Sequence, residues 1–314
     1  MTELRYSAAL RSVSDNEFLR RTLASLALQS VPPREIVIAI PEEVEPWPVA
    51  EPAVRFVQAP RGMVSQRAAG IVSARNRLTL LLDDDIVLAP DAAERLLRPL
   101  AERQAQCVVP YWPEAWGGGP VARFLNALWG IAVPRKSGGI EYLAGGGFYY
   151  PLTEPPPEGW RTCGGAGAVI AVDREFALCC GATGDLALQA ISPYALRDDG
   201  ALILSWHQHG GNCLMIAGIA FQHLGGTTRL APDRSYISYK SQIYNHLHFW
   251  RNYLKPDPAC DPVGLAWAAL SLGRYFLGIA CYALLLSLRT GSLQPVRGFL
   301  DGLRCCLARR GGTA

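Results

Sequence analysis

The chain has 314 residues, of which 50% are hydrophobic and 18% charged, with a formal net charge of +3. That apolar share excludes disorder as its organising theme. The 31 glycines and 23 prolines follow no three-residue period, which excludes a collagen-like chain, and so small a net charge without a concentrated basic face points away from nucleic acid. Nine cysteines form neither a dense disulfide framework nor a C-x-x-C zinc spacing, so a reducing compartment is expected. The N-terminus shows no charged segment followed by an apolar one and a cleavage site, so the folded part is expected to stay inside the cell.

In chain order, Tyr6–Leu10 reads as a first strand, and a helix follows from Asp15 and Glu17 with Phe18, Leu19, Leu23, Leu26 and Ala27 at helical spacing, stopped by Pro32-Pro33. Glu35–Ile40, Val54–Val57 and Leu78–Leu82 read as strands, with a helix over Gln66–Ser73. Continuous apolar strands separated by helices predict an α/β domain with a mostly parallel sheet covered on both faces, whose ligands gather at the carboxyl ends of the strands. Three triplets, Gly117–Gly119, Gly145–Gly147 and Pro155–Pro157, make residues 111–165 a region of loops and short elements. Gly167–Val172 is a further strand, followed by a helix from Arg174, and an aromatic-rich helix is expected over Lys240–Leu254. Val263–Leu288 then runs with Arg274 as its only charge, and Leu293–Leu307 is amphipathic.

Leu80-Leu81-Leu82 leads straight into Asp83-Asp84-Asp85. Three carboxylates at the exit of a buried strand repel one another unless a cation compensates, and Mg2+ or Mn2+ is the simplest cation to do so; the bland alternative is a solvated turn near a helix start at Asp91. Asp198-Asp199 is a second acidic pair, readable as a general base or as the cap of a helix over Ala201–Trp206. His223, between an apolar run and a glycine pair, is either a metal ligand or a hydrogen-bonded structural histidine. His207 and His209 have no spacing that joins them on one helical face. Trp112, Trp116, Trp129 and Trp160 either fill the core or stack on a ligand ring, with Trp160 first among them for the second role.

Four segments in order carry a resemblance: Leu19, Leu26, Gln29, Pro33 and Glu35–Ile38; R-G-M-V-S-Q-R-A-A-G-I from Arg61; L-L-D-D-D-I-V-L-A-P-D from Leu81; and G-G-A-G-A-V-I-A-V-D-R-E from Gly164, followed by Asp198-Asp199. Together they resemble the family 2 glycosyltransferases, inverting enzymes with the GT-A nucleotide-sugar fold, over roughly residues 5–230. The resemblance implies that the D-x-D motif falls on Asp83–Asp85, with Asp85 as metal ligand beside His223 and Asp83 nearer the ribose, and Asp84 between them. It implies a base at Asp199, next to Asp198, a basic donor contact at Arg67, and an acceptor-side loop at Gly164, Gly165 and Gly167 near Trp160. Where the family has a T-Y-N-like turn this chain has Leu10-Arg11-Ser12, and where it has an Asp near a Ser this chain has Pro41-Glu42-Glu43; Arg11 and Glu42 are therefore donor-side candidates.

The reading is then a GT-A domain over residues 1–235, with a nucleotide-sugar half at 1–110 and an acceptor half at 111–235, and a helical, membrane-associated region at 236–314. The expected activity is metal-dependent sugar transfer (Mn2+ or Mg2+) from a nucleotide-sugar donor to a glycan or lipid-linked acceptor in surface polysaccharide synthesis, at the cytoplasmic face of the cell membrane, with homo-oligomers compatible and no nucleic acid involved. The alternatives are a non-catalytic membrane-bound partner of the same fold and a sugar-phosphate nucleotidyltransferase, whose opening G-x-G-T-R-like loop is absent here. A single span would place Arg289, Arg297 and Arg304 outside and Arg274 within the bilayer, so helices lying on the inner face fit better than a crossing, the alternative being a helical pair that packs on the protein's own core or makes a dimer.

Overall fold

The computed structural model describes residues 4–49, 53–116, 118–225 and 234–308. Thirteen strands lie along these residues: β1 (Tyr6–Arg11), β2 (Glu35–Pro41), β3 (Val54–Ala59), β4 (Leu78–Asp83), β5 (Ile86–Leu88), β6 (Cys107–Pro110), β7 (Ala132–Arg135), β8 (Glu141–Tyr142), β9 (Phe148–Pro151), β10 (Trp160–Arg161), β11 (Val169–Asp173), β12 (Cys213–Ile216) and β13 (Phe221–His223). The α-helices are α1 (Glu17–Ala27), α2 (Met63–Ser73), α3 (Ala92–Ala101), α4 (Pro120–Leu128), α5 (Arg174–Cys179), α6 (Asp198–Gln208), α7 (Arg234–Phe249), α8 (Pro262–Thr290) and α9 (Gln294–Ala308). They form two compact units, Met1–Trp112 with Glu154–Leu186 and Asp198–Thr227, and Pro113–Thr153 with Ala187–Arg197 and Thr228–Ala314.

The first unit is built on an eight-stranded sheet of order β10-β12-β6-β11-β4-β1-β2-β3. From β4 to β3 the strands are parallel. Alternate residues of β1, β2 and β4 point to opposite faces, and both faces are covered, so every second residue and its neighbours must be apolar. Tyr6, Ala8, Leu10, Ile38 and Leu80 pack with Leu19, Leu23 and Leu26 of α1 and Leu96 and Leu100 of α3. On the other face α2 approaches closely enough that a Cβ on Gly70 would lie 3.2 Å from Ala9 Cβ. The sheet is mixed rather than wholly parallel: β11 runs antiparallel to both β4 and β6, because the chain re-enters at the carboxyl end of β4, with Val169 opposite Leu82. The cap of α1 is Asn16, whose Oδ1 accepts from Leu19 N–H at 3.0 Å, while Asp15 instead pairs with Arg20.

The second unit holds the small sheet β7-β9-β8 and the helices α4 and α7–α9. Ile243 and Tyr244 of α7, Tyr275 and Ile279 of α8 and Cys306 of α9 form its core, with Phe299 and Leu303 packed against them. Part of the amphipathic face of α9 is therefore consumed by the protein's own core. Glycine lets α9 come close to α7, since a Cβ on Gly298 would meet Tyr236 O at 2.3 Å. Helix α4 lies against α8: Tyr282 Oη donates to Asn126 Oδ1 at 3.0 Å, and Gly278 leaves room for the Trp129 ring. Among the described residues α8 is the one helix long and apolar enough to cross a membrane, and 28% of its apolar window is buried.

Candidate active site

The site lies in the first unit, at the carboxyl ends of β1 and β4, where Arg11 stands opposite Asp83 in the strand register. Arg11 donates from Nε to Asp83 Oδ1 at 3.0 Å and from Nη1 to Asp198 Oδ2 at 3.2 Å. Arg67, from α2, donates through Nη1 to Asp198 Oδ2 at 2.5 Å and through Nη2 to Gly167 O at 3.1 Å. Two cations thus hold two carboxylates in a nearly closed quartet. Burial alone would disfavour the Arg11 charge, but Asp83 and Asp198 outweigh that and keep its guanidinium firmly protonated.

Asp199 is placed differently. It opens the first turn of α6 with Asp198, yet its carboxylate accepts from backbone amides, Gly167 N–H at 2.8 Å and Gly200 N–H at 2.7 Å. Burial raises its pKa above the usual carboxylate value, and the neighbouring Asp198 charge adds to the rise. Gly167 makes this packing feasible, because a Cβ there would stand 2.4 Å from Asp199 Cβ. Gly167→Ala is accordingly expected to displace Asp199 and lower turnover by at least about tenfold, with donor binding little changed, as read by initial-rate kinetics. Gly165 is likewise tight, against Val109, and Gly164 is buried in the same loop, tied by its carbonyl to Thr162 Oγ1 at 2.6 Å.

The acidic triplet divides its labour. Asp84 accepts from Ser12 Oγ at 2.5 Å, and burial pushes its carboxyl up to about 6. Asp85 turns the other way: its Oδ2 lies 3.3 Å from His223 Nε2, and burial raises its pKa as well. The pairing of β13 with β5 sets His223 opposite Ile86, and Leu224 N–H donates to Asp85 O at 2.8 Å. Ligand atoms of Asp83, Asp85 and His223 all fall within 4.8 Å of one another. An octahedral ion with ligands at about 2.1 Å separates adjacent donors by about 3 Å, so the His223–Asp85 spacing suits one cation, and two carboxylates with one imidazole suit Mn2+ better than the all-oxygen preference of Mg2+.

Of the remaining sequence candidates, Glu42 is exposed at the carboxyl end of β2, and Glu43 pairs with Arg61 at the surface. Trp160 sits half-buried on the edge strand β10, opposite Met215. Trp112 is the tryptophan placed beside the acidic group, its ring centroid 5.6 Å from that of His223. Two residues that sequence reasoning passed over complete the site: Ser12, and Gln66, whose Nε2 donates to Ser12 O at 3.0 Å and Ala39 O at 2.8 Å and so ties the ends of β1 and β2 together.

The family model described as glycosyl transferase family 2 matches residues 14–125. That stretch is similar to glycosyltransferase family 2. It includes Arg67 and the acidic triplet, whereas Arg11, Asp198, Asp199 and His223 lie outside it. No curated protein matches the chain. Among solved structures, GalNAc-T7 with UDP, GalNAc and Mn2+ aligns at a TM-score of 0.54 with 17% identity, covering 84% of this chain and 52% of that one. This chain therefore spans about half the length of that structure. A mannosyltransferase from Pyrobaculum calidifontis in complex with GDP-Man and Mn2+ aligns at a TM-score of 0.52 with 15% identity, covering 95% of this chain and 86% of that one. These likenesses establish a GT-A fold for the chain.

Proposed function

We propose that the chain is a metal-dependent, inverting glycosyltransferase that uses a nucleotide-sugar donor and a glycan or lipid-linked acceptor, at the cytoplasmic membrane face in surface polysaccharide synthesis. The observation that carries this reading is the contrast within Asp198-Asp199. One carboxylate is neutralised by Arg67 and Arg11, while its neighbour accepts only backbone amide hydrogen bonds among those described and has a raised pKa. An ion-paired carboxylate is a poor proton acceptor, and one with a raised pKa is a better one. Asp199 then takes the proton of the acceptor hydroxyl as its oxygen attacks the anomeric carbon from the side opposite the leaving diphosphate, which inverts the configuration.

Asp83, Asp85 and His223 would hold the cation, Mn2+ by the donor set, and its charge would offset the charge developing on the leaving diphosphate. Asp198, fixed by the two arginines, anchors the first turn of α6 and so the direction of Asp199. Arg67, through Gly167 O, couples that anchor to the glycine loop. The two similar structures hold UDP and GDP-Man, so UDP- and GDP-sugars are the first donors to try.

A thermal-shift screen of nucleoside diphosphates with and without Mn2+ tests the reading. One diphosphate is expected to raise Tm by several degrees only when Mn2+ is present, and the matching nucleotide sugar to be consumed with release of that diphosphate. If no diphosphate stabilises the chain with Mn2+ and no nucleotide sugar is turned over, the proposal fails.

A further inference from the structure

Charge and apolar surface are divided unequally between the two units. The second unit carries fifteen lysines and arginines against six aspartates and glutamates, a net charge of +9, which leaves −6 on the first. The same basic unit holds the exposed apolar stripe of α8, Val263, Trp267, Leu270, Leu277, Leu284 and Leu288, spaced by three, four or seven residues along one face. Helix α4, packed directly against α8, adds Val121, Phe124 and Leu128, of which Val121 is 72% and Phe124 67% exposed. Arg274, the only charge in the apolar run of α8, directs its guanidinium to Gly130 at the carboxyl end of α4, where helix carbonyls favour a cation.

We propose that α4 and α8 together form a platform that docks on an anionic lipid bilayer, with α8 lying in the membrane plane. The proposal rests on the membrane association put forward above and adds to it α4 and a structural ground for the in-plane arrangement. Lipid is the occupant that fits: a second copy would bring another +9 unit against the first, whereas anionic headgroups attract it. The opposite face of α8 excludes a crossing. There Ala268, Tyr275, Ile279 and Ala283 are buried, and Tyr275, at the middle of the helix, accepts from Arg197 Nη2 at 3.0 Å and stacks on His246 at 3.6 Å. His246 in turn accepts from Arg197 at Nδ1, 3.1 Å, and donates from Nε2 to Gly145 O, 2.9 Å. A spanning α8 would carry this guanidinium to the bilayer centre, together with the α9 helix and its Arg297 and Arg304, at a cost that few membrane helices bear. Lying flat, α8 buries its stripe in the acyl boundary and keeps that side in the protein.

The test is flotation of the full chain with vesicles of phosphatidylglycerol and phosphatidylethanolamine, compared with phosphatidylcholine alone. Binding to the anionic vesicles is expected, weakened by salt and at least tenfold poorer on phosphatidylcholine. The triple variant V121S/F124S/L128S, substituted only at exposed positions and checked for an unchanged melting temperature, is expected to lower the partition coefficient at least tenfold. W267S/L270S/L277S should do the same. Loss with the α8 variant but full binding by the α4 variant would overturn the platform while leaving membrane association standing. A wild-type chain that ignores both vesicle types and dimerises instead, by light scattering, would overturn both, with sugar transfer unaffected by either result. A carboxyl-terminal tag on protein added to sealed vesicles should remain open to protease; a protected tag would overturn the in-plane arrangement.

Discussion

Asp199→Asn is expected to reduce sugar transfer by about 10³-fold or more while leaving the protein folded and the donor bound. Asparagine has nearly the same shape and can still accept from Gly167 N–H through its carbonyl oxygen, so the tie to the loop survives, while its NH2 group replaces the oxygen that accepts from Gly200 N–H and that one bond is lost together with the proton acceptor. The pH dependence of the stability change separates this from a folding defect. The Asp199 pKa is raised in the folded protein by burial and by Asp198, so its ionised form is the one that folding disfavours. An acid with a raised folded pKa stabilises the fold at low pH and loses that contribution as pH rises past its unfolded value and through its folded value. At neutral pH relief of the buried charge therefore opposes the loss of the Gly200 bond, so the asparagine variant should stay folded, and its melting temperature should lose part of the parent's decline with rising pH. In the parent, turnover should rise with pH along a limb lying above the ordinary carboxylate range of about 4. A variant that retains transfer, or one that unfolds, would remove Asp199 from the role of base.

How much of this was legible beforehand differs between parts of the molecule. Strands β1, β2 and β4 were readable because a sheet covered on both faces demands uninterrupted apolar runs, and the antiparallel β11 was readable as an element for the same reason. Strand direction was not: Gly167–Val172 has the same composition whichever way it runs, and only the loop that returns the chain to Leu82 decides it. Asp83, Asp85 and His223 were found as residue types at plausible places, but their convergence depends on the β5–β13 pairing, a contact between segments more than 130 residues apart. Arg11 was suspected from what it replaced, while its partners Asp83 and Asp198 follow from register and tertiary placement. Ser12 and Gln66 carried no signal, because a serine and a glutamine are ordinary in any sequence and acquire meaning only from the atoms they meet. The exposed stripe of α8 was visible as a long apolar run, but α4 beside it was hidden in a glycine-rich region and has no buried residue to mark it.

Asp85→Ala should weaken Mn2+ binding by at least about 100-fold, the scale at which even supporting residues around metal ligands act, and should abolish the Mn2+-dependent stabilisation by nucleoside diphosphate. Asp83→Ala is a different experiment, because Asp83 is shared with Arg11 and its loss also frees a buried guanidinium. Removing Asp85 instead leaves His223 with its ring packed against Trp112 and its strand pairing intact, so the scaffold persists while the donor set falls from three groups to two. It also relieves carboxylate crowding: burial and the Asp83 charge both raise the Asp85 pKa, so the apo variant should melt no lower than the apo parent. The paired measurement is a Mn2+ titration followed by electron paramagnetic resonance, alongside thermal melts with and without metal. Parent and variant should differ in the metal-loaded melt and converge in the metal-free one. Undiminished Mn2+ affinity in the variant would place the cation elsewhere and leave Asp83, Asp85 and His223 as a hydrogen-bonded cluster beneath the donor.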